Sequence, residues 1–123
     1  MLFRSVEENP VAICRLKRVA ADYKEDIRHR LPKPGPKNGK RVALVGGGPA
    51  SLAVARDLAP LGYLCTVFDQ DPKAGGMMRT QIPKFRLPDS VVDEETDYIL
   101  NLGIEFNGGK RIDSMKEIGR AHV

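Results

Sequence analysis

The chain contains 123 residues, of which 41% are hydrophobic and 29% charged, and it carries a net charge of +4. These values are typical of one small globular domain and exclude a collagen-like protein, a disordered tail and a disulfide scaffold. No apolar run approaches the roughly 20 residues that cross a bilayer, and the acidic N-terminal residues argue against a secretory signal peptide. Cys14 and Cys65 are far apart and form no metal or redox motif. We therefore expect a cytoplasmic chain that binds neither a membrane nor a metal ion.

Positive charge is concentrated in residues 15–41, which hold ten Lys and Arg against three Asp and Glu. A basic block of this kind is one signature of nucleic-acid binding. This block has a single aromatic residue, Tyr23, and coincides with a predicted helix and a Pro/Gly-rich segment. We interpret it as a solvated surface or a contact to an acidic partner, and we expect no nucleic acid to bind.

The first predicted element is an N-terminal helix that starts at Asn9-Pro10 and ends before Leu31-Pro32. Its apolar residues recur at spacings of three and four, as on one face of a helix: Ile13, Leu16, Ala20, Tyr23 and Ile27. We expect Cys14 within this helix to be a buried apolar residue. The sequence LPKPGPKNGK follows, with three prolines and two glycines, and predicts an extended linker.

A strand, a glycine turn, a helix and a second strand come next. Arg41–Val45 is a short apolar run rich in β-branched residues, typical of a strand buried on both faces in a parallel sheet. The helix after the turn is trimmed at Pro60 and capped by Gly62, and Leu64–Phe68 is the second strand. This order predicts an α/β fold with a Rossmann-like βαβ unit.

Beyond the second strand the pattern is weaker. Residues 77–88, MMRTQIPKFRLP, have no clean period and predict an irregular segment or a short strand. A further helix is predicted from Pro88-Asp89 to a cap at Gly103, followed by a third strand at Ile104–Phe106. Since a doubly wound sheet usually has five or six strands, the three strands found here predict an incomplete parallel sheet.

The glycine turn carries the most specific signal for a ligand. Gly46 would make the tight turn, and Gly48 would let a pyrophosphate approach the N–H groups at the start of the next helix. Ser51 stands where the usual fingerprint has its third glycine. Asp69 ends the next strand, where a carboxylate accepts the hydroxyls of an adenosine ribose and repels a 2′-phosphate. The pattern therefore predicts FAD or NAD at this site, rather than NADP.

The sequence also resembles the FAD-binding segment of the small (β) subunit of NADPH-dependent glutamate synthase, and the matching domain of the dihydropyrimidine dehydrogenase family. The shared pattern is the glycine turn at residues 46–50, the acid at Asp69, Gly75-Gly76-Met77, and Ile82-Pro83-Lys84-Phe85-Arg86-Leu87-Pro88. The resemblance covers roughly residues 9–115. It implies the FAD-binding part of an NAD(P)H-dependent flavin oxidoreductase that passes electrons through FAD to iron–sulfur clusters.

The fingerprint and the resemblance together give the expected cofactor contacts. Arg86 matches the family's arginine that contacts the cofactor, and Ile112 lies where the family's returning strand approaches it. Thr80-Gln81 departs from the family pattern near the expected flavin ring. No side chain is expected to act as a catalytic acid, base or nucleophile. The full set of expected contacts is Gly46, Gly47, Gly48, Pro49, Ala50, Ser51, Asp69, Gly76, Met77, Arg86 and Ile112.

The resemblance also implies a domain organisation. Residues 1–39 would form the end of an iron–sulfur region and residues 40–116 a truncated FAD-binding domain. The last residues break the family pattern after Met115, so we expect residues 117–123 to be a non-native tail without function. The NAD(P)H site and the 4Fe–4S clusters would lie outside this chain, in a larger redox subunit or a fused domain. Two alternatives stay open: an NAD-binding dehydrogenase domain, and a non-catalytic module that docks an acidic partner through its basic helix.

Overall fold

The structure is a computed structural model, and it describes residues 10–121 of the chain. The chain forms two compact units that divide between Leu31 and Pro32. In its described residues, the first unit contains helix α1 (Ile13–Asp22) and a 3-10 turn at Arg28–Arg30. Nowhere in residues 10–121 is a helix long and apolar enough to cross a membrane.

The second unit is a parallel sheet whose strands are joined through helices. Its elements are β1 (Arg41–Val45), α2 (Pro49–Leu58), β2 (Leu64–Phe68), α3 (Met77–Thr80), α4 (Asp89–Leu100), β3 (Glu105–Asn107) and α5 (Met115–Ala121). The strand order is β1-β2-β3, and both neighbouring pairs are parallel. The predicted α/β class, the βαβ unit and the incomplete parallel sheet are confirmed.

The core is built around the central strand β2. Its residues Cys65, Thr66, Val67 and Phe68 are at most 2% exposed, because β2 has a paired strand on each side. Helix α2 contacts both β1 and β2 and buries Leu52 and Ala55. Burial raises the pKa of the Cys65 thiol, which keeps it protonated and unreactive, as expected for a structural cysteine.

β1 is less buried than its sequence predicts. Val45 is 55% exposed, and the three middle residues of the strand are only half-buried. The prediction of a strand buried on both faces was wrong, because β1 has a strand partner on one side only and, among the described elements, α2 is the helix that packs closely on it. The third strand was also misplaced by one residue, since β3 begins at Glu105 rather than Ile104.

The N-terminal helix is shorter and more exposed than predicted. Asn9 of the predicted start lies outside the described residues, but Pro10 is not helical, and α1 runs only from Ile13 to Asp22. Asp26 accepts hydrogen bonds from the side chain and then from the backbone N–H of Arg28, which lower the pKa of its carboxyl to about 2. The backbone hydrogen bond competes locally with helix formation. Cys14 is exposed, so its predicted burial was wrong, and no residue of α1 is buried. The docking role proposed for this helix stays a prediction.

A short helix occupies the first four residues of the segment 77–88 that was predicted to be irregular, and residues 81–88 are irregular as predicted. α3 is one turn long, closed by hydrogen bonds from the N–H groups of Arg79 and Thr80 to the Gly76 carbonyl at 3.0 and 3.1 Å. A single turn is too short to generate an apolar period, which is why the sequence pattern did not reveal it.

The Pro/Gly segment packs against the connection between α2 and β2. The Gly35 N–H donates to the Pro60 carbonyl at 3.0 Å, and the Asn38 N–H donates to the Gly62 carbonyl at 3.1 Å. Gly62 has φ +94°, which confirms the predicted left-handed cap. A Cβ at Gly62 would lie 2.1 Å from the Pro36 carbonyl oxygen, so this glycine also makes room for the linker.

Gly62→Ala should therefore destabilise the second unit for two reasons. An alanine is strained at positive φ, and its Cβ collides with the linker backbone, which together should lower the free energy of unfolding by roughly 2–4 kcal/mol. Urea denaturation measures this loss. Gly39→Ala is the matched control, because Gly39 has φ +77° but open space around its Cβ; it should cost only about 1 kcal/mol. Equal losses at both positions would contradict the proposed collision.

Candidate functional site

The turn between β1 and α2 joins the end of the first strand to the start of a helix. Gly46 has φ +99°, and its N–H donates to the Phe68 carbonyl at 2.6 Å, which ties the turn to the end of β2. A side chain at this position would be strained, so the prediction that Gly46 makes the tight turn agrees with the backbone.

The N-terminus of α2 has no side-chain cap. Gly48 is its N-cap residue and Pro49 its first residue, with no capping hydrogen bond from a side chain. Within the part of the chain that the structure describes, no protein acceptor contacts the N–H groups of Gly48, Ala50 and Ser51. These three donors, with the positive end of the helix dipole behind them, are available to an anion.

Asp69 is buried and binds the glycine turn directly. Its Oδ2 accepts a hydrogen bond from the Gly47 N–H at 2.7 Å, and its Oδ1 accepts one from the Asp71 N–H at 3.0 Å. A Cβ on Gly47 would lie 2.6 Å from that Oδ2, so this contact requires glycine. Each oxygen of a carboxylate has two acceptor positions, so one on each stays open to a ligand hydroxyl.

A second glycine pair packs against the first. The Gly75 N–H donates to the Gly47 carbonyl at 2.8 Å, and Gly76 adopts φ +55° as it enters α3. A Cβ on Gly76 would lie 2.8 Å from the Gly48 Cα, so the two segments touch backbone to backbone. Met77 begins α3 directly after this contact and is 54% exposed.

A cleft of about 380 Å³ opens at the carboxyl ends of β1 and β2. It brings together Gly46, Asp69 and Ile112, three residues that the sequence analysis selected. Arg86 does not line this cleft and lies exposed between α3 and α4. The cofactor contacts expected at Met77, Arg86 and Ile112 stay predictions. The complete lining is Val45, Gly46, Phe68, Asp69, Gln70, Lys110, Arg111 and Ile112.

Two basic residues of the cleft were missed by the sequence analysis. The Lys110 Nζ lies 5.6 Å from the centroid of the Phe68 ring, and the Lys110 N–H donates to the Asp69 carbonyl at 2.8 Å. Arg111 lines the same cleft and pairs with Asp113 at 2.8 Å. Both follow β3 at the edge where parallel strands end, and ligands bind at that edge in open α/β sheets. Their charge favours an anionic ligand.

Residues 44–105, about half of the chain, match the family of NAD(P)-binding Rossmann-like domains. This chain belongs to that family. No group of three or more His, Cys, Asp or Glu side chains in the described residues of the domain could hold a metal ion.

Named relatives of this Rossmann-like domain are redox enzymes. The NAD-dependent dihydropyrimidine dehydrogenase subunit PreT of Salmonella typhimurium is 39% identical, over 84% of this chain and 25% of the relative. The NADP(+)-dependent formate dehydrogenase subunit beta of Moorella thermoacetica is 37% identical, over 85% of this chain and 18% of the relative. The glutamate synthase [NADPH] small chain of Mycobacterium tuberculosis is 33% identical, over 87% of this chain and 22% of the relative. The predicted resemblance is confirmed, and the chain spans about a quarter or less of each relative.

Asp69→Ala should destabilise the Rossmann-like domain even without a ligand. It leaves the buried Gly47 N–H without its acceptor, which costs about 1–3 kcal/mol in the free energy of unfolding. Urea denaturation of the ligand-free protein measures the loss. Asp57→Ala, at an exposed position of α2, should change the free energy by less than about 0.5 kcal/mol. If Asp69→Ala lowered the free energy of unfolding as little as this control does, the Asp69 carboxylate would not be stabilising the turn.

Proposed function

We propose that this chain binds the ADP part of a dinucleotide at the N-terminus of α2. The observation that carries the proposal is the uncapped helix N-terminus, where three backbone N–H groups have no protein acceptor among the described residues. A pyrophosphate supplies the negative charge and the acceptor oxygens that such a terminus lacks. The glycine turn then brings the ligand close to the backbone, because Gly48 has no atom within 4 Å of the position of a Cβ.

The proposed ribose site is Asp69. Its two oxygens are fixed by the Gly47 and Asp71 N–H groups, so the carboxylate that lines the cleft is held in one orientation. A fixed carboxylate accepts two vicinal hydroxyls without losing further side-chain entropy. Lys110 and Arg111 supply positive charge to the same cleft, which favours a ligand that carries phosphates.

FAD is the dinucleotide that we propose for this site. The glycine turn, Asp69 and the Gly75-Gly76 pair match the FAD-binding pattern of the glutamate synthase small subunit, and in this structure they touch one another. Gly76 and Gly48 touch through their backbones, and no atom lies within 4 Å of the position of a Gly48 Cβ. This side of the turn is therefore open, as the approach of a pyrophosphate requires. When bound, FAD would accept a hydride and pass on single electrons, while the chain's own residues bind and orient it.

We further propose that the intact protein is an NAD(P)H-dependent flavin oxidoreductase. The names of its relatives support this role, since each includes NAD, NADP(+) or NADPH. The nicotinamide site and 4Fe–4S clusters would then be held by other segments of a longer protein or by a larger redox subunit, in the cytoplasm. This chain would contribute the flavin position between donor and acceptor, and no acid or base of its own.

The second candidate is NAD at the same site, in a dehydrogenase. It is favoured by the family match, because that family is named for NAD(P) binding. Flavin absorbance in the purified protein, and competition between NAD and FAD, distinguish the two candidates. Protein that retains flavin through purification supports FAD, whereas protein that binds NAD and excludes FAD supports the dehydrogenase.

Gly48→Val should abolish FAD binding and leave the fold intact. Gly48 has φ −78°, and a Cβ there has no protein atom within 4 Å, so a valine is tolerated by the backbone and directs its bulk into the space proposed for the pyrophosphate. We expect at least about a 100-fold loss of FAD affinity, equal to about 2.8 kcal/mol. Fluorescence titration measures the affinity, and urea denaturation checks the fold. Normal FAD binding by folded Gly48→Val protein would refute the pyrophosphate site.

The role of Asp69 is tested by a ligand pair that differs in one hydroxyl. Wild-type protein should bind ADP more tightly than 2′-deoxy-ADP by about tenfold, because a hydrogen bond to a charged acceptor contributes about 1.5–3 kcal/mol. Asp69→Asn should reduce this preference to about threefold or less, since the acceptor becomes neutral. Isothermal titration calorimetry measures both affinities. An unchanged preference in Asp69→Asn would exclude the ribose role, whatever the variant does to overall affinity.

A further inference from the structure

The guanidinium of Arg79 joins the second glycine pair to helix α4. Its Nε and Nη2 both donate to the Ala74 carbonyl, at 3.0 and 2.9 Å. Its Nη1 contacts the Asp93 carboxylate at 2.7 Å and lies 3.9 Å from Asp89. The Arg79 side chain is only 14% exposed. One largely buried side chain therefore connects a loop carbonyl to the first turns of a longer helix.

The contact depends on the geometry of an arginine. Only a planar guanidinium presents donors in a fixed fork that reaches a carbonyl on one side and a carboxylate on the other. Asp89 has a closer partner in Lys84, which is the main cause of the lowered pKa of the Asp89 carboxyl, with a smaller contribution from Arg79. Asp93 is thus the carboxylate that Arg79 contacts most closely.

Ala74 is followed at once by the residues that touch the phosphate-binding turn. The Gly75 N–H donates to the Gly47 carbonyl at 2.8 Å, and Gly76 packs on the Gly48 Cα. The path from the Arg79 guanidinium to the turn therefore crosses only the Ala74–Gly76 backbone. Glycine has more backbone freedom than any other residue, so a restraint on the adjoining Ala74 carbonyl adds to the backbone hydrogen bonds that keep Gly75 and Gly76 in one conformation.

We propose that Arg79 is a positioning residue that holds the Gly75-Gly76 pair against Gly47 and Gly48, and so keeps the phosphate-binding turn in its binding conformation. The inference rests on the proposed function, because the turn must bind a pyrophosphate for its position to matter. Arg79 itself touches no ligand in this assignment. It acts by restraining the backbone between two glycines and a helix.

Charge distinguishes this positioning role from simple attraction of an anion. Asp93→Asn removes a negative charge from the domain, so electrostatics alone would strengthen the binding of a phosphate ligand. Loss of the Arg79 partner would instead loosen the restraint and weaken binding. The two effects have opposite signs, which makes Asp93→Asn the decisive variant.

The test compares ADP affinity and amide exchange in the full chain. ADP is the probe because it carries the pyrophosphate without requiring a choice between flavin and nicotinamide. The variants are Arg79→Met, Arg79→Lys and Asp93→Asn, and Arg56→Met is the charge-matched control, since Arg56 is exposed and forms a surface ion pair with Asp57 at 3.4 Å. Calorimetry gives the ADP dissociation constant, and hydrogen exchange follows the Gly75 N–H against the central Val67 N–H.

We expect Arg79→Met to weaken ADP binding by at least about tenfold and Asp93→Asn to weaken it by about threefold or more. The ADP affinity of Arg79→Lys should fall between those of Arg79→Met and wild type, because an ammonium group can replace only some of the hydrogen bonds of the guanidinium. Exchange of the Gly75 N–H should accelerate while that of Val67 stays unchanged, and Arg56→Met should match wild type in both readouts. If Arg79→Met does not fold, Arg79→Lys and Asp93→Asn carry the test.

Failure of the proposed function and failure of the positioning role alone give different results. Wild-type protein that binds neither ADP nor FAD would overturn the proposed function and this inference together. Wild-type protein that binds ADP, with Asp93→Asn binding equally or more tightly and Gly75 exchange unchanged, would overturn the positioning role alone.

Discussion

The hydrogen bond between the Asp69 carboxylate and the Gly47 N–H is the contact on which the candidate site depends. It links the end of β2 to the turn after β1, two places that the chain separates by a whole helix. The bond needs a glycine on one side and a short acid on the other, because any Cβ on Gly47 would collide with the carboxylate. The same carboxylate therefore builds the turn and borders the cleft where a ribose would bind.

The parts of the fold that were predictable from the sequence are those with strong local signals. β2 was located to the residue because an apolar run is bounded by a glycine cap and an acid. The start of α4 at Asp89 followed from the proline before it, and the turn at residues 46–48 followed from its glycines. The glycine turn and Asp69 could also be paired from sequence, since the carboxyl ends of adjacent parallel strands meet at one edge.

The parts that were not predictable depend on partners distant in sequence. Whether both faces of an apolar strand are covered depends on neighbours distant in sequence, so the residues of β1 predict more burial than the fold provides. Cys14 shows the same limit, because the spacing of apolar residues predicts which face of a helix is apolar but not whether another element packs against that helix. Lys110 joins the site through a loop after β3, where no periodic pattern exists.

The position of the linker has a consequence for how changes within it reach the candidate site. Residues 35 and 38 are hydrogen-bonded to the connection that precedes β2, and the Lys40 carbonyl accepts the Leu64 N–H at 3.0 Å. The chain thus enters the sheet at the amino ends of its strands, while the candidate site occupies their carboxyl ends. The point where the chain enters the sheet and the candidate site therefore lie at opposite ends of the strands, about one strand length apart. A change in the linker at Gly35 or Asn38 therefore acts on the amino ends of the strands, and it reaches the candidate site only through the strands themselves.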